Sequence, residues 1–337
     1  MPEVVWKPQS ARDTARDIAK RVFRHENIVL VGILVVVVLV FGVLTRGKSL
    51  RLTNVTSILQ GSAMRGIVTM GQTFCLLTGG IDIAVQGTVA VIIMRGTIPM
   101  SGTSGFPFGP IALMLIIGLG IGLVHGLLVS RVHVPPLIVT IASWRAWEGA
   151  AWLSTGGLAV LHLPEEFCII GQRRIGLVPV SAIIFIGVAA ISYFVLGYTR
   201  FGRAVYAVGS NPVSAYLSGI NVQNTLLAVY IVSGFCAAIT AVILASGLMR
   251  GRFDGMPPLL LDSIAAAVIG GVSIFGGRGT ILGALIGVLI IGVINNGMNL
   301  LILGAGLQQI VRGLIIIVAV AIDYWRRREA GPVSILV

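Results

Sequence analysis

Charged side chains are scarce in this sequence. Asp, Glu, Lys and Arg make up 11% of its 337 residues, whereas 56% are apolar and the mean hydropathy is +0.99. Such a composition leaves too little polar surface to cover a soluble globule. The net charge of +12 does not indicate a nucleic-acid partner, because membrane proteins carry excess Lys and Arg that set their orientation. The composition therefore excludes a soluble domain and predicts a protein embedded in membrane lipid.

Residues for catalysis are also missing. Two of the three cysteines, Cys75 and Cys236, lie inside apolar runs, so no disulfide framework is implied. The four histidines are scattered, and no C-x-x-C, H-E-x-x-H or G-x-S-x-G motif occurs. The glycine-rich residues 276–280 lack the spacing and the lysine of a nucleotide-binding P-loop. We therefore expect no catalytic residue, no metal site and no ATP site in this chain.

What the sequence has instead is long apolar segments. Ten are long enough, or nearly so, to cross about 30 Å of hydrocarbon as helices. They lie at residues 28–45, 54–78, 83–99, 110–130, 135–155, 177–198, 223–247, 260–275, 280–302 and 306–324. They are apolar on every face, which favours helices over a β-barrel. The predicted fold class is an all-α polytopic membrane protein with about ten transmembrane helices, eight to ten within the uncertainty of their boundaries.

Glycine and proline divide and pack these segments. Interruptions at residues 79–82, 135–136 and 276–279 predict broken or re-entrant helices, which are typical of transporters. Elsewhere glycine recurs at four-residue spacing, which lets neighbouring helices approach closely. These glycines are Gly118, Gly122 and Gly126 in one segment, and Gly283 and Gly287 in another.

The distribution of basic residues predicts the orientation. An even number of crossings places both termini in the cytosol, and this threading puts 13 Lys and Arg inside against seven outside. Residues 1–27 form a cytoplasmic amphipathic tail that we expect to lie on the inner leaflet. Residues 28–324 form a single transmembrane domain with a cytoplasmic loop at 199–222, and residues 325–337 form a cytoplasmic C-terminal tail.

The cytoplasmic loop is longer and more polar than a simple turn requires. Within it, residues 211–218 can form a short helix with Asn211 as N-cap, Pro212 at the first helical position and Gly219 as terminator. Such a helix suggests a docking surface for a partner outside the membrane. The alternative is a solvated turn.

Ionisable residues within apolar segments are further candidates, because a charge in the bilayer is kept only when it is paired or solvated. For Arg145 and Glu148 the i, i+3 spacing favours a structural ion pair. Asp82 either lines a solute pathway or caps the next helix. The other candidates are Arg65, Arg312 and the polar patch Asn295, Asn296 and Asn299, for which interhelical hydrogen bonding and solute contact are equally good explanations.

These motifs together resemble the permease subunit of a ribose-type carbohydrate ABC importer, of the binding-protein-dependent transport family. The resemblance covers residues 54–323. The motifs that carry it are Thr78–Ile83, Pro135–Thr140, Thr199–Arg203, Gly209–Asn211, Ser218–Asn221, Leu261–Ala266, Val268–Gly271, Phe275–Gly279 and Asn295–Gly297. Their order and spacing are specific, although each motif alone is modest.

The resemblance implies a passive permease in the bacterial inner membrane that works by alternating access. Its partners would be a second permease subunit, two ATP-binding domains or one tandem ATPase, and a periplasmic or lipid-anchored binding protein that delivers a sugar. ATP would be bound by the partner, so the chain itself needs no cofactor. Coupling to the ATPase is assigned to Arg203, Gly209, Asn211, Pro212, Ala215, Tyr216 and Gly219. The solute pathway is assigned to Gln72, Asp82, Trp144, Asn295, Asn296 and Asn299.

Three departures from the family pattern leave the solute open. Residues 83–86 read Ile-Ala-Val-Gln where Leu-Ser-Val-Gly is usual, residues 259–262 read Leu-Leu-Leu-Asp, and His125 replaces a usual asparagine. A permease for branched-chain amino acids or nucleosides is the alternative within the class. A secondary transporter driven by an ion gradient is less favoured. It needs acidic residues arranged as a proton or sodium site, and Asp82 and Glu148 are too few for that.

Overall fold

The computed structural model describes residues 11–254 and 256–329, and these are almost entirely helical. The α-helices are α1 Ala11–Leu44, α2 Leu52–Leu77, α3 Val85–Thr97, α4 Phe108–Ser130, α5 Pro136–Thr155, α6 Glu165–Gln172, α7 Val180–Tyr198, α8 Arg200–Ser210, α9 Pro212–Leu217, α10 Val222–Leu248, α11 Leu259–Ile269, α12 Ile281–Leu300 and α13 Ala305–Glu329. A two-stranded hairpin pairs β1 Arg174–Ile175 with β2 Val178–Pro179. The all-α fold class is confirmed. The parts of the predicted tails at residues 1–10 and 330–337 lie outside the described residues.

Each predicted transmembrane segment contains a helix. Five of the described helices have an apolar stretch long enough to cross a membrane: residues 27–44 of α1, and α4, α7, α10 and α12. The chain is therefore a multi-pass membrane protein. Two segments are too short to cross alone, since α3 has 13 residues and α11 has 11.

The predicted breaks are present. Helix α2 ends at Leu77 and α3 begins at Val85, so residues 78–84 are irregular. Residues 270–280 separate α11 from α12 in the same way, and α5 begins at Pro136 of the proline pair. The two glycine-rich segments, residues 78–84 and 270–280, are called the first break and the second break below.

The glycine rows serve close helix packing, as predicted. On α4, a Cβ at Gly118 would lie 2.5 Å from the carbonyl oxygen of Gly234, and one at Gly122 would lie 2.5 Å from that of Tyr230. Both contacts are to the backbone of α10, so α4 and α10 touch without intervening side chains. On α12, a Cβ at Gly287 would overlap the carbonyl oxygen of Ala266 in α11, and one at Gly283 would overlap that of Gly270, just after α11. The largest fully buried side chains include Tyr230 and Phe74, which lie where α10 and α2 form the core.

Three elements were not predicted. Helix α6 is only eight residues long, and the hairpin turns through Gly176, which has a φ of 62°. Helix α8 is amphipathic rather than apolar and buries only Gly202, Val205 and Val208. A search for long apolar runs does not detect elements of these kinds.

Loops that the predicted threading places on one side of the membrane contact one another. On the predicted outer side, the backbone of Val160 bonds to that of Gly251 in both directions at 2.8 Å. On the predicted inner side, the Arg131 guanidinium donates to the side chains of Gln223 and Asn224 at 2.6 Å each. Helix α10 runs between these two groups of loops.

Candidate functional site

The segment after α7, predicted to be a cytoplasmic loop, forms two capped helices. Thr199 begins α8, and its hydroxyl accepts a hydrogen bond from the Gly202 N–H at 3.1 Å. Asn211 begins α9 in the predicted manner, because its side-chain oxygen accepts from the Ser214 N–H at 3.0 Å. Pro212 occupies the first turn, and Gly219 follows the helix with a φ of 80°. The short helix predicted at this point is confirmed.

The outward side of α9 is apolar. Val213, Tyr216 and Leu217 are 68%, 71% and 79% exposed. Ala215 is assigned to coupling together with Tyr216, and a role for its side chain in direct docking is corrected, because Ala215 is only 4% exposed. Ala215 anchors α9 to the chain on one face, whereas Val213, Tyr216 and Leu217 lie at i, i+3 and i+4 and so share the opposite face of the helix. These three residues are called the α9 tip below.

The inward side of α8 lies against both breaks. A Cβ at Gly209 would overlap the carbonyl oxygen of Leu77, the last residue of α2. That oxygen accepts a hydrogen bond from the Gly277 N–H at 2.9 Å, which ties the two breaks together. The Tyr206 hydroxyl donates to the Gly279 carbonyl oxygen at 2.8 Å. Burial raises the pKa of Tyr206 to about 12, so the hydroxyl keeps its proton at physiological pH.

Arg203, the remaining coupling candidate, is exposed on α8. The coupling candidates thus lie together on α8, on α9 and on the residues that flank α9, but they divide by direction. Gly209 and Ala215 face the chain, whereas Arg203 and Tyr216 face away from it.

Asp82 is a buried structural group in this conformation. One carboxylate oxygen accepts from the Ala84 N–H at 3.0 Å, just before α3, and the other accepts from the Ser233 hydroxyl at 2.6 Å. The Gln72 amide, oriented so that both its ends are satisfied, donates to the Asp82 carbonyl oxygen at 3.1 Å and accepts from its N–H at 3.3 Å. Gln72 and Asp82 are brought together, and both are nearly inaccessible. Of the two interpretations of Asp82, this geometry favours a role at the start of the next helix.

The three asparagines make contacts between helices. Asn295 donates to Asp262 at 3.0 Å and accepts from Arg312 at 2.8 and 3.0 Å. Asn296 and Asn54 exchange hydrogen bonds at 2.9 and 3.0 Å. Asn299, which is exposed, accepts from Gln308 at 3.1 Å. The side chains therefore join α12 to α2, α11 and α13.

Asp262 is the residue that sequence reasoning overlooked. Its carboxylate lies 2.6 Å from Arg65 and 3.6 Å from Arg312, and its side chain is 2% exposed. Asp262, Arg65, Arg312 and Asn295 are called the ionic cluster below. The signal was available, because two arginines in apolar segments require an acidic partner and few acidic residues lie in such segments.

Arg145 and Glu148 form the predicted ion pair, with N and O atoms 2.9 Å apart. They are not buried in this chain, however, since their side chains are 72% and 33% exposed. The Arg145 guanidinium lies 4.6 Å from the ring centre of Trp144. The pathway candidates therefore do not share one set of contacts: Gln72 and Asp82 contact each other, the asparagines join α12 to its neighbours, and Trp144 packs against α3.

One sequence match disagrees with the expectation that the chain has no nucleotide-binding P-loop. Residues 42–49 read G-x-x-x-x-G-K-S, which is the spacing of a P-loop. A P-loop connects a strand to the start of a helix. Here Gly42 lies inside α1, and Lys48 begins a single 3₁₀ turn that leads to α2. The match therefore lacks the backbone context that holds phosphates. Among the described residues, no group of three His, Cys, Asp or Glu side chains is placed to hold a metal.

Comparison with known proteins agrees with this architecture. The family described as a branched-chain amino acid transport system permease component matches residues 54–320. The fructose import permease of Rhizobium meliloti is 36% identical over 328 residues, covering 92% of this chain and 89% of the relative. The ribose import permease of Bacillus subtilis is 35% identical, covering 82% and 86%, and the D-allose transport system permease of Escherichia coli is 33% identical, covering 86% and 89%. No solved structure matches. The chain therefore belongs to this family of ABC-importer permease components.

Proposed function

We propose that the chain is the transmembrane subunit of an ATP-driven importer in the bacterial inner membrane, and that it translocates a sugar. The support is that relatives aligned over 86–89% of their length carry fructose import, ribose import and D-allose transport in their names. The family description names branched-chain amino acids, so a permease for these solutes is the second candidate. The names of relatives that align over most of their length are more informative about the solute than a description that covers the whole family.

The observation that carries the coupling mechanism is the position of α8 and α9. The α9 tip presents apolar side chains to the cytosolic side, while α8 contacts both breaks at Leu77, Gly277 and Gly279. A partner that moves α9 would therefore move the ends of α2, α11 and α12 together. ATP binding in the partner supplies the energy by contacting one conformation better than the other.

The complete importer would contain two permease subunits, two ATP-binding domains or one tandem ATPase, and an extracytoplasmic binding protein. ATP belongs to the partner, and the chain carries no cofactor of its own. A topology of ten crossings with both termini in the cytosol agrees with two contacts between loops. Val160 bonds to Gly251, both on the predicted outer side, and Arg131 bonds to Gln223 and Asn224, all on the predicted inner side.

Co-purification tests the proposal. Replacing Tyr216 and Leu217 together with Asp should abolish association with the ATP-binding subunit, because charged residues cannot enter an apolar cleft. Leu158→Asp is the matched control, since Leu158 is 74% exposed in a loop of the predicted outer side. Unchanged association of the Tyr216 and Leu217 variant would contradict the assignment of the α9 tip.

A reconstitution experiment separates this importer from an ion-driven carrier. The chain alone in liposomes should accumulate no solute when a proton or sodium gradient is imposed. Addition of the ATP-binding subunit, the binding protein and ATP should restore uptake. Uphill transport by the chain alone would contradict the proposal.

A further inference from the structure

The exposed Arg145 and Glu148 pair lies halfway along a helix that crosses the molecule. Helix α5 begins at Pro136, just beyond the end of α4, where the Val134 N–H bonds to the Leu128 carbonyl oxygen at 3.1 Å. Beyond its other end, Val160 bonds to Gly251, which lies just after α10. Since α10 is one of the helices long and apolar enough to span the membrane, α5 crosses the same thickness.

This position places the charges deep in the bilayer. Arg145 is about 14 Å from the start of α5 at 1.5 Å per residue, and a 20-residue helix is about 30 Å long. A largely exposed arginine at this depth cannot face lipid, because ionisable groups within the hydrocarbon must be paired inside protein or solvated in a cavity. The outward face of α5 therefore lies against something other than lipid.

The opposite face of α5 is already occupied. The backbone and the indole edge of Trp144 both pack on Gly87 of α3, and the Thr140 hydroxyl donates to the Ile81 carbonyl oxygen at 3.3 Å. The outward face carries small residues beside the charges, and a Cβ at Gly149 would meet no atom within 4 Å. There is open space next to the ion pair within this chain.

We propose that this face of α5 lines the aqueous route of the solute, and that Arg145 and Glu148 contact a neutral, polyhydroxylated molecule there. The inference rests on the proposed function. A guanidinium donates up to five hydrogen bonds, and Arg145 uses one on Glu148, which leaves donors and carboxylate lone pairs for hydroxyl groups. Because the pair is neutral overall, it does not select for a charged solute.

Thiol labelling tests whether the face meets water. Gly149→Cys keeps both charges and fits the open space, and the native cysteines Cys75, Cys168 and Cys236 are buried. The assembled transporter in lipid nanodiscs would be treated with a charged methanethiosulfonate without nucleotide, with ATP, and after vanadate trapping. Ile191→Cys is the control, because Ile191 is 66% exposed on the apolar helix α7.

In at least one of these states, the thiol introduced by Gly149→Cys should react at least about tenfold faster than the control thiol, because only a hydrated thiol ionises to the reactive thiolate. Equally slow labelling in all three states would overturn the inference and would indicate that lipid or a second copy of the chain covers the face. Co-purification of the ATP-binding subunit, measured on the same samples, reports on the proposed function independently.

Uptake by Arg145→Gln and Glu148→Gln tests solute contact. Each should lower the maximal rate of sugar uptake by at least about fivefold while thermal stability and ATPase association stay unchanged, because an exposed ion pair adds little to stability. Ile191→Gln, at the 66% exposed position of α7 that also serves as the labelling control, is the control for a polar substitution. Normal uptake by both charge variants would overturn the assigned contacts even if the thiol is labelled.

Discussion

The carbonyl oxygen of Leu77 lies against Gly209 so closely that no side chain fits between α8 and the end of α2. The same oxygen accepts a hydrogen bond from the Gly277 N–H. One peptide group thus joins α8 to both breaks. Since glycine-rich breaks are where helices can hinge, the proposed coupling mechanism would transmit movement of α9 to the membrane domain at this junction.

Substitution of Gly209 should damage this junction. Gly209→Ala forces the Cβ into the Leu77 carbonyl, and overpacking of this kind costs about 1–3 kcal/mol. We expect a lower melting temperature in detergent and a larger loss of ATP-driven uptake. Gly187→Ala in α7 is the matched control, because a Cβ there meets no atom within 4 Å. Wild-type melting and uptake for Gly209→Ala would show that the close approach is dispensable.

The ionic cluster predicts a second effect. Asp262→Ala leaves Arg65 and Arg312 without their shared carboxylate, and breaking a buried ion pair costs about 3–5 kcal/mol. Thermal unfolding of the purified protein should show the loss. Asp254→Ala removes an exposed partner of Arg252 and should leave the melting temperature unchanged. Equal melting temperatures for the two variants would contradict a stabilising role for the cluster.

The sequence predicted the helices and their packing better than the partners of buried polar groups. Apolar length identifies α4 or α10 without tertiary information, and glycine spacing identifies the α4 face that meets α10, because both signals are local. The partner of Arg65 lies 197 residues away in the chain. Such pairings depend on how helices are arranged in space, and a single sequence does not record that arrangement.

The same limit explains the errors at the candidate site. N-cap, proline and glycine signals placed α9 correctly, since they act within a few residues. Whether Ala215 or Leu217 faces away from the chain depends on which side of α9 packs against it. Residues 42–49 show that a local match can also mislead. They have the spacing of a P-loop, but that spacing carries no function without the strand and helix around it.

Asp82 gives a prediction for the first break. Its carboxylate accepts a 2.6 Å bond from the Ser233 hydroxyl, and Ser233 is 2% exposed. Ser233→Ala should cost about 2 kcal/mol, because it removes a hydrogen bond to a buried charged group. Ser181→Ala is the control, since the buried Ser181 hydroxyl has no hydrogen-bond partner among the described residues. Similar melting temperatures for the two variants would contradict the importance of this bond.

Tyr206 predicts a specific pH dependence. Burial raises its pKa from about 10 in the unfolded chain to about 12 in the folded protein. The unfolded chain then binds fewer protons between these values, so the free energy of unfolding should fall as the pH rises from about 10 to about 12. Tyr206→Phe cannot ionise and should lack this part of the pH dependence.

At neutral pH the same variant should be less stable by about 1 kcal/mol, because the Gly279 carbonyl loses its donor. Melting curves of both proteins from pH 7 to pH 11 measure the two effects together. Tyr216→Phe is the matched control, because the Tyr216 side chain is 71% exposed. Removing its hydroxyl therefore breaks no buried hydrogen bond. If Tyr206→Phe and wild type lose stability in parallel above pH 10, the ionisation of Tyr206 is not linked to folding, and its bond to the second break does not hold α8 in place.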